Sequence, residues 1–157
     1  MNLKNKKILI TGATGGIGNC LIEKVYNLGS TILATGTNEE KLDNLKNKFT
    51  NIQIKKFKLD DHSGIEKFID EANKKLSGLD ILVNNAGTTK FANHQKLDAL
   101  TDEDFINIYK VNVIGPYQMI RAVEPYMKKN KFGSVVNVSS IAGITGMGSS
   151  IAYAASK

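Results

Sequence analysis

Thr11-Gly12-Ala13-Thr14-Gly15-Gly16-Ile17-Gly18 joins an apolar run at 7–11 to an amphipathic segment at 17–28. Glycine in such a turn permits a positive φ and leaves no Cβ to keep a ligand away from the backbone. The free N–H groups and the positive end of the following helix suit a pyrophosphate. Between a strand and a helix, this stretch predicts a nucleotide site, although an isolated glycine-rich string also fits a tight structural turn.

Five apolar runs alternate with longer amphipathic segments along the chain. The predicted strands are 7–11, 31–34, 52–59, 79–83 and 134–138, and the predicted helices cover about 17–28, a segment opening at 38, 63–76 and a long one from 101. The polar–apolar alternation of 52–59 indicates a strand near a sheet edge. Repeated βαβ units predict a doubly wound parallel α/β sheet. With no internal repeat and no linker, we expect residues 1–157 to form a single domain.

Two further polar segments follow predicted strands. Asp60 and Asp61 come after the third, and Asn84-Asn85-Ala86-Gly87 comes after the fourth. Both therefore fall at the carboxyl edge of the sheet, where open α/β folds bind their ligands. Taken alone, each also fits a turn or a helix cap.

Together these segments resemble the short-chain dehydrogenase/reductase family in its shorter, single-domain form. Gly12, Gly16 and Gly18 fit the family pattern TGxxxGxG, while Gly12, Gly15 and Gly18 fit the TGxxGxxG of a longer, sugar-nucleotide-modifying branch. The NNAG of 84–87 is typical of the shorter branch and decides between them.

The resemblance extends to the end of the chain. Asn137-Val138-Ser139-Ser140 and Tyr153-Ala154-Ala155-Ser156-Lys157 match two more family motifs, with Tyr153 thirteen residues after Ser140. The family implies a Rossmann-like sheet that binds NAD(P), of which about five strands are present here. It also implies further strands and helices beyond residue 157, so we expect an incomplete domain with apolar surface exposed on the sheet and the long helix. The fragment alone is expected to be inactive.

The resemblance implies a catalytic set of Asn112, Ser140, Tyr153 and Lys157. Tyr153 would donate a proton to a carbonyl oxygen, Ser140 would hydrogen-bond that oxygen, and Lys157 would stabilise the phenolate and contact the nicotinamide ribose. A lysine four residues after a tyrosine lies on the same face of a helix. Asn112 would help to hold a water relay to the lysine.

The implied cofactor is NADP(H) in preference to NAD(H). The second strand ends Ala34-Thr35-Gly36-Thr37 without the acid that usually binds a ribose 2′-hydroxyl, and Thr37 offers a donor to a phosphate. Gly15 stands where many NADP-preferring relatives have arginine, which leaves NAD(H) open. The implied cofactor-binding residues are Gly12, Thr14, Gly15, Gly16, Ile17, Gly18, Thr37, Asp60, Asp61, Asn85, Ala86, Gly87, Tyr153 and Lys157.

The first half of the chain, in TGATGGIG and ATGTNEEKL, resembles bacterial 3-oxoacyl-[acyl-carrier-protein] reductases of fatty acid biosynthesis. The segment 88–94 departs from their pattern, so an alcohol, a sugar or another carbonyl compound stays open as the substrate. A third hypothesis is a short nucleotide-binding protein without catalysis. By resemblance, the full-length form is expected to be a homodimer or homotetramer.

Composition excludes several other classes of function. The net charge of +6 comes from dispersed lysines with a single arginine, which is not typical of a nucleic-acid surface. No apolar run is long enough to span a membrane, and the first residues do not form a signal peptide, so we expect a cytoplasmic protein. Cys20 has no cysteine partner, and His62 and His94 lack metal-ligand spacing, so no metal site is predicted.

Overall fold

The computed structural model describes residues 2–157 and contains one parallel sheet of five strands in the order β3-β2-β1-β4-β5. The strands are β1 (Lys7–Ile10), β2 (Thr31–Gly36), β3 (Gln53–Lys56), β4 (Ile81–Asn84) and β5 (Ser134–Asn137). The chain crosses over between β3 and β4, which reverses the direction in which strands are added. This arrangement confirms the predicted doubly wound, Rossmann-like α/β fold.

Helices cover both faces of the sheet. They are α1 (Gly16–Asn27), α2 (Glu39–Lys48), α3 (Ile65–Leu76), α4 (Asp102–Tyr109), α5 (Gly115–Lys129), α6 (Ala142–Thr145) and α7 (Ile151–Ala155). Successive strand residues point to opposite faces. Leu9, Leu33 and Leu82 consequently pack in the cluster that includes α3 and α5, while Ile8 and Ile10 pack with residues of α1 and α2.

The third strand lies at a sheet edge, as the alternating pattern predicts, but it is shorter than expected. It ends at Lys56 instead of continuing to residue 59. Phe57 donates its backbone N–H to Gly36 O at 3.0 Å, and its ring stacks on Phe68 with centroids 4.2 Å apart. The chain therefore follows the end of β2 and then enters the core beside α3.

The long helix predicted from residue 101 begins as expected but is not continuous. Thr101 and Asp104 form a capping box at the start of α4. A π-helical turn, Lys110–Ile114, then separates α4 from α5. Such turns occur frequently at functional sites, and this one contains Asn112.

The opposite sheet edge, β5, is open to solvent. Val135 and Val136 are 37% and 46% exposed, and Tyr117 on α5 is 62% exposed. The apolar surface expected on the sheet and the long helix is therefore present.

Candidate active site

The glycine loop leaves β1 and turns back beneath the start of α1. Gly12 has φ +63°, and Ala13 donates its N–H to Thr35 O of β2 at 2.9 Å. Helix α1 then begins with Gly15 at its N-cap, where no side chain accepts from the first turn, and that turn contains no acid. The N-terminal N–H groups of α1 are thus free of side-chain caps, whereas Asn38 and Thr101 cap α2 and α4.

The glycines of this loop fall into two classes. A Cβ on Gly12 would lie 2.6 Å from Ala86 Cα, and one on Gly18 would lie 2.3 Å from Gly12 O, so backbone packing excludes a side chain at both positions. On Gly16, in contrast, a Cβ would meet no atom of the described chain within 4 Å apart from its neighbours and the backbone of α1 itself. Gly12 and Gly18 thus allow backbone segments to pack closely, whereas Gly16 leaves open space at the N-terminus of α1.

Thr11 and Asn85 hold the loop against the end of β4. Thr11 Oγ1 accepts hydrogen bonds from the backbone N–H groups of Asn85 and Ala86 at 3.0 and 3.1 Å. The Asn85 side-chain amide donates to Thr11 O and to Gly12 O, both at 3.0 Å. This role of Thr11 is not predictable from the sequence, because nothing in the local pattern reveals a bond across 74 residues.

A cleft of about 640 Å³ opens above the loop at the carboxyl edge of the sheet. It brings together most of the predicted cofactor-binding residues: Gly12, Thr14, Gly15, Gly16, Ile17, Gly18, Thr37, Asp60, Asn85, Ala86 and Gly87. It is also lined by residues outside the predicted cofactor-binding set: Thr11, Thr35, Gly36, Phe57, Lys58, Leu59, Thr88 and Val111. The early end of β3 explains part of this difference, since it turns 57–59 toward the cleft.

Asp61 does not line this cleft. Its carboxylate accepts from Gly64 N–H at 3.1 Å and from the Ser63 hydroxyl at 2.9 Å, and so caps the short 3₁₀ turn His62–Gly64. Asp61 has the capping role that the pattern alone also allowed, while Asp60 lies at the cleft.

Asn112 lies in the π-helical turn and joins three segments. It is buried, accepts from Thr88 N–H at 2.8 Å, and donates to Thr88 O at 2.9 Å and to Ser156 Oγ at 2.8 Å. Ser156 Oγ donates in turn to Tyr153 O at 2.8 Å. The side chain of Asn112 thus fixes the backbone after β4 and the end of the segment that carries Tyr153.

Tyr153 and Lys157, which were also predicted to bind the cofactor, do not line this cleft themselves but approach each other. Helix α7 ends at Ala155, two residues before Lys157. Lys157 Nζ nevertheless lies 5.8 Å from the centroid of the Tyr153 ring and donates to Val138 O at 3.1 Å. A Cβ on Gly87 would lie 3.3 Å from Lys157 Nζ and 3.4 Å from Asn112 Oδ1, so Gly87 lets these two groups converge.

The two serines after β5 are held differently. Ser139 Oγ donates to Lys157 O at 2.7 Å. Ser140 Oγ accepts from Ala142 N–H at 3.2 Å, which leaves its own proton available for another acceptor. Within residues 2–157, Ser140 makes no hydrogen bond to the other three predicted catalytic side chains.

The cleft fits a dinucleotide on observations of the chain itself. The uncapped start of α1 provides donors and a positive helix end for phosphate. The open space at Gly16 gives a phosphate access to them. The hydroxyl of Thr35 is buried at the cleft without a hydrogen-bond partner in the described chain, as expected for a group that meets a ligand.

Two other features are absent from residues 2–157. No three His, Cys, Asp or Glu side chains there lie close enough to hold a metal ion. Over the same residues, no helix has the length and apolar character required to cross a bilayer.

Comparison with known proteins agrees with this geometry. The sequence model of the short chain dehydrogenase family matches residues 6–157. The chain is 35% identical over 161 residues to a 3-oxoacyl-[acyl-carrier-protein] reductase of Thermotoga maritima, and 37% identical over 158 residues to one of Rickettsia conorii. These matches cover the whole chain but 64% and 63% of the two relatives, so the chain spans slightly less than two thirds of their length.

A solved structure of similar fold contains a bound cofactor. It is a metagenomic short-chain oxidoreductase in complex with NADP, with a TM-score of 0.90 and 28% identity, covering all of this chain and 71% of that one. The family match over nearly the entire chain and the parallel sheet lead to the same assignment. This chain belongs to the short chain dehydrogenase family.

Proposed function

We propose that the protein containing this chain is an NADP(H)-dependent oxidoreductase that reduces a carbonyl group to a hydroxyl, with a 3-oxoacyl thioester as the favoured substrate. The observation that carries the proposal is the approach of Lys157 and Asn112 to Gly87, which also lines the glycine-loop cleft. Lys157 Nζ lies 5.8 Å from the centroid of the Tyr153 ring, so the proposed proton donor is one side chain away from the cleft. The similar reductases of Thermotoga maritima and Rickettsia conorii support the substrate class.

Carbonyl reduction adds a hydride to carbon and a proton to oxygen, and the residues of this chain are suited to the proton. A bound nicotinamide cofactor would supply the hydride. Tyr153 would donate its phenolic proton to the carbonyl oxygen, and the ammonium of Lys157 would stabilise the phenolate that results. The free proton of Ser140 would hydrogen-bond the same oxygen as negative charge develops there.

The loop 88–100 carries exposed apolar side chains. Ala92 donates its N–H to Ser149 O at 3.0 Å, which holds the loop against the segment leading into α7. Phe91 and Leu97 on this loop are 82% and 73% exposed. Side chains of this kind would suit an acyl chain.

The test is the oxidation of NADPH by the full-length protein, followed at 340 nm with acetoacetyl thioester and a panel of simple ketones and aldehydes. Tyr153→Phe removes the proton donor and is expected to lower turnover by roughly 10²- to 10⁴-fold while NADPH binding is unchanged. Tyr26→Phe is the matched control, since Tyr26 packs on Phe49 away from the cleft. Absence of turnover with every carbonyl, or full activity in Tyr153→Phe, would overturn the proposal.

A further inference from the structure

The cleft lining contains one basic side chain, Lys58, which the sequence analysis did not assign. Among the lining residues, Asp60 is its acidic counterpart, and the others are uncharged. Both side chains are exposed to solvent. Lys58 thus brings a positive charge to a surface that otherwise offers a bound anion only backbone N–H groups and hydroxyls.

The sheet register places Lys58 beside the end of β2. Gly36 pairs with Lys56, and the next residue, Phe57, donates its N–H to Gly36 O at 3.0 Å. Lys58 follows directly, and it lines the cleft together with Thr37 and Thr14. In dinucleotide-binding sheets, the end of the second strand is where the adenosine ribose is recognised.

The neighbouring lysines are paired, but Lys58 is not. Lys55 pairs with Glu71, and Lys56 pairs with Glu39 in the first turn of α2 at 2.9 Å. Within residues 2–157, the ammonium of Lys58 has no ion pair and no hydrogen bond.

We propose that Lys58 is a specificity-determining residue that binds the 2′-phosphate of NADP(H). The inference rests on the proposed function and names the residue responsible for its cofactor choice. NADP(H) carries a ribose phosphate that NAD(H) lacks, so a free ammonium at the ribose end of the cleft favours the phosphorylated cofactor. Neither the glycine loop nor Thr37 provides a cation. Lys58 therefore supplies the positive charge that an arginine at the position of Gly15 would otherwise bring to the phosphate.

Calorimetric titration of the full-length protein with NADPH and with NADH tests this role. Lys58→Gln is expected to weaken NADPH binding by roughly 10- to 100-fold and to leave NADH binding unchanged, as for the loss of a charged hydrogen bond. Lys58→Arg should retain the preference. The preference of the unmodified protein should also fall as salt is raised from 50 to 300 mM.

Lys56→Gln is the matched control, because its ammonium is engaged with Glu39, and it should leave the ratio of the two affinities unchanged. An equal loss for both cofactors in Lys58→Gln, or no loss at all, would overturn the role of Lys58. In either case the reductase proposal stands if NADPH is still oxidised by a carbonyl compound. A preference for NADH in the unmodified protein would overturn the inference about Lys58 and the NADP(H) assignment together. Failure of both cofactors to bind would overturn the proposed function as well.

Discussion

The two ends of the candidate site are built in different ways. The glycine-loop cleft lies at the ends of β1, β2 and β4, whose side chains are almost entirely buried, and its shape depends on backbone packing at Gly12 and Gly18. The proposed catalytic end lies next to β5, which has two exposed valines and no neighbouring strand on its outer side within residues 2–157. Its geometry depends on side-chain hydrogen bonds centred on Asn112.

This difference indicates how each end responds to substitution. Backbone packing tolerates no added atom, because interiors are close-packed and the backbone cannot move without moving the sheet. A hydrogen-bonded centre tolerates changes of shape better than the loss of a partner, which leaves buried polar groups unpaired. The cleft should therefore be sensitive to added volume and the catalytic end to lost polarity.

The largest effect is expected from adding one methyl group to α1 at Gly18. In Gly18→Ala the new Cβ would lie 2.3 Å from Gly12 O and 2.8 Å from Ala13 Cα, both of them backbone atoms. We expect a loss of about 3 kcal/mol in the free energy of unfolding, at the upper end of overpacking costs. Urea denaturation followed by circular dichroism measures it.

Gly16→Ala is the matched variant in the same helix turn. The new Cβ would lie in open space. The free energy of unfolding should therefore be unchanged or slightly higher, because alanine has a higher helix propensity than glycine. The methyl group should instead obstruct phosphate and weaken NADPH binding about tenfold. Equal stability losses in the two variants would contradict the division of the glycines into packing and access positions.

At the catalytic end, Asn112→Ala removes three hydrogen bonds without adding volume. The N–H and C=O of Thr88 lose their partner at a half-buried contact, and the buried Ser156 hydroxyl oxygen loses a donor, so we expect a loss of about 2 kcal/mol in the free energy of unfolding. Asn107→Ala on the exposed face of α4 is the control, and it should lower the free energy of unfolding by only a few tenths of that amount. Similar losses for both asparagines in urea denaturation would show that the network around Asn112 is not what stabilises this end.

The sequence is informative where local chemistry determines structure. The glycine loop, the buried strands and the caps at Asn38 and Thr101 are recognisable because their signals lie within a few residues. The edge position of β3 also follows from its alternation, since one face of an edge strand meets solvent.

Contacts between distant segments are not visible in such patterns. The pairing of Thr11 with the backbone of Asn85, and of Asn112 with Thr88 and Ser156, depends on which strands become neighbours. For the same reason the assignment of Lys58 to the cleft needs the register of β2 and β3. The π-helical turn escapes prediction because apolar periodicity continues across it.

The smallest effect concerns the ion pair that ties the loop after β4 to α4. Lys90 Nζ lies 2.7 Å from Asp104 Oδ2, and this hydrogen bond, together with the Thr101 N–H, lowers the pKa of Asp104 to about 2. A carboxyl whose pKa is lower in the folded state than in the unfolded chain stabilises the fold above pH 4, and this contribution is lost as the pH falls through about 2.

We therefore expect the difference in unfolding free energy between the unmodified protein and Asp104→Asn to shrink between pH 4 and pH 2. Lys90→Gln is the matched variant, because it removes the ammonium of the same pair, and in that background Asp104→Asn should show less pH dependence. Carboxyl NMR titration of Asp104 in the unmodified protein and in Lys90→Gln measures its pKa directly. An Asp104 titration that Lys90→Gln leaves unchanged would contradict the ion pair. A pKa of Asp104 that rises in Lys90→Gln would show that an electrostatic contact ties the loop after β4 to α4, beside the Asn112 network.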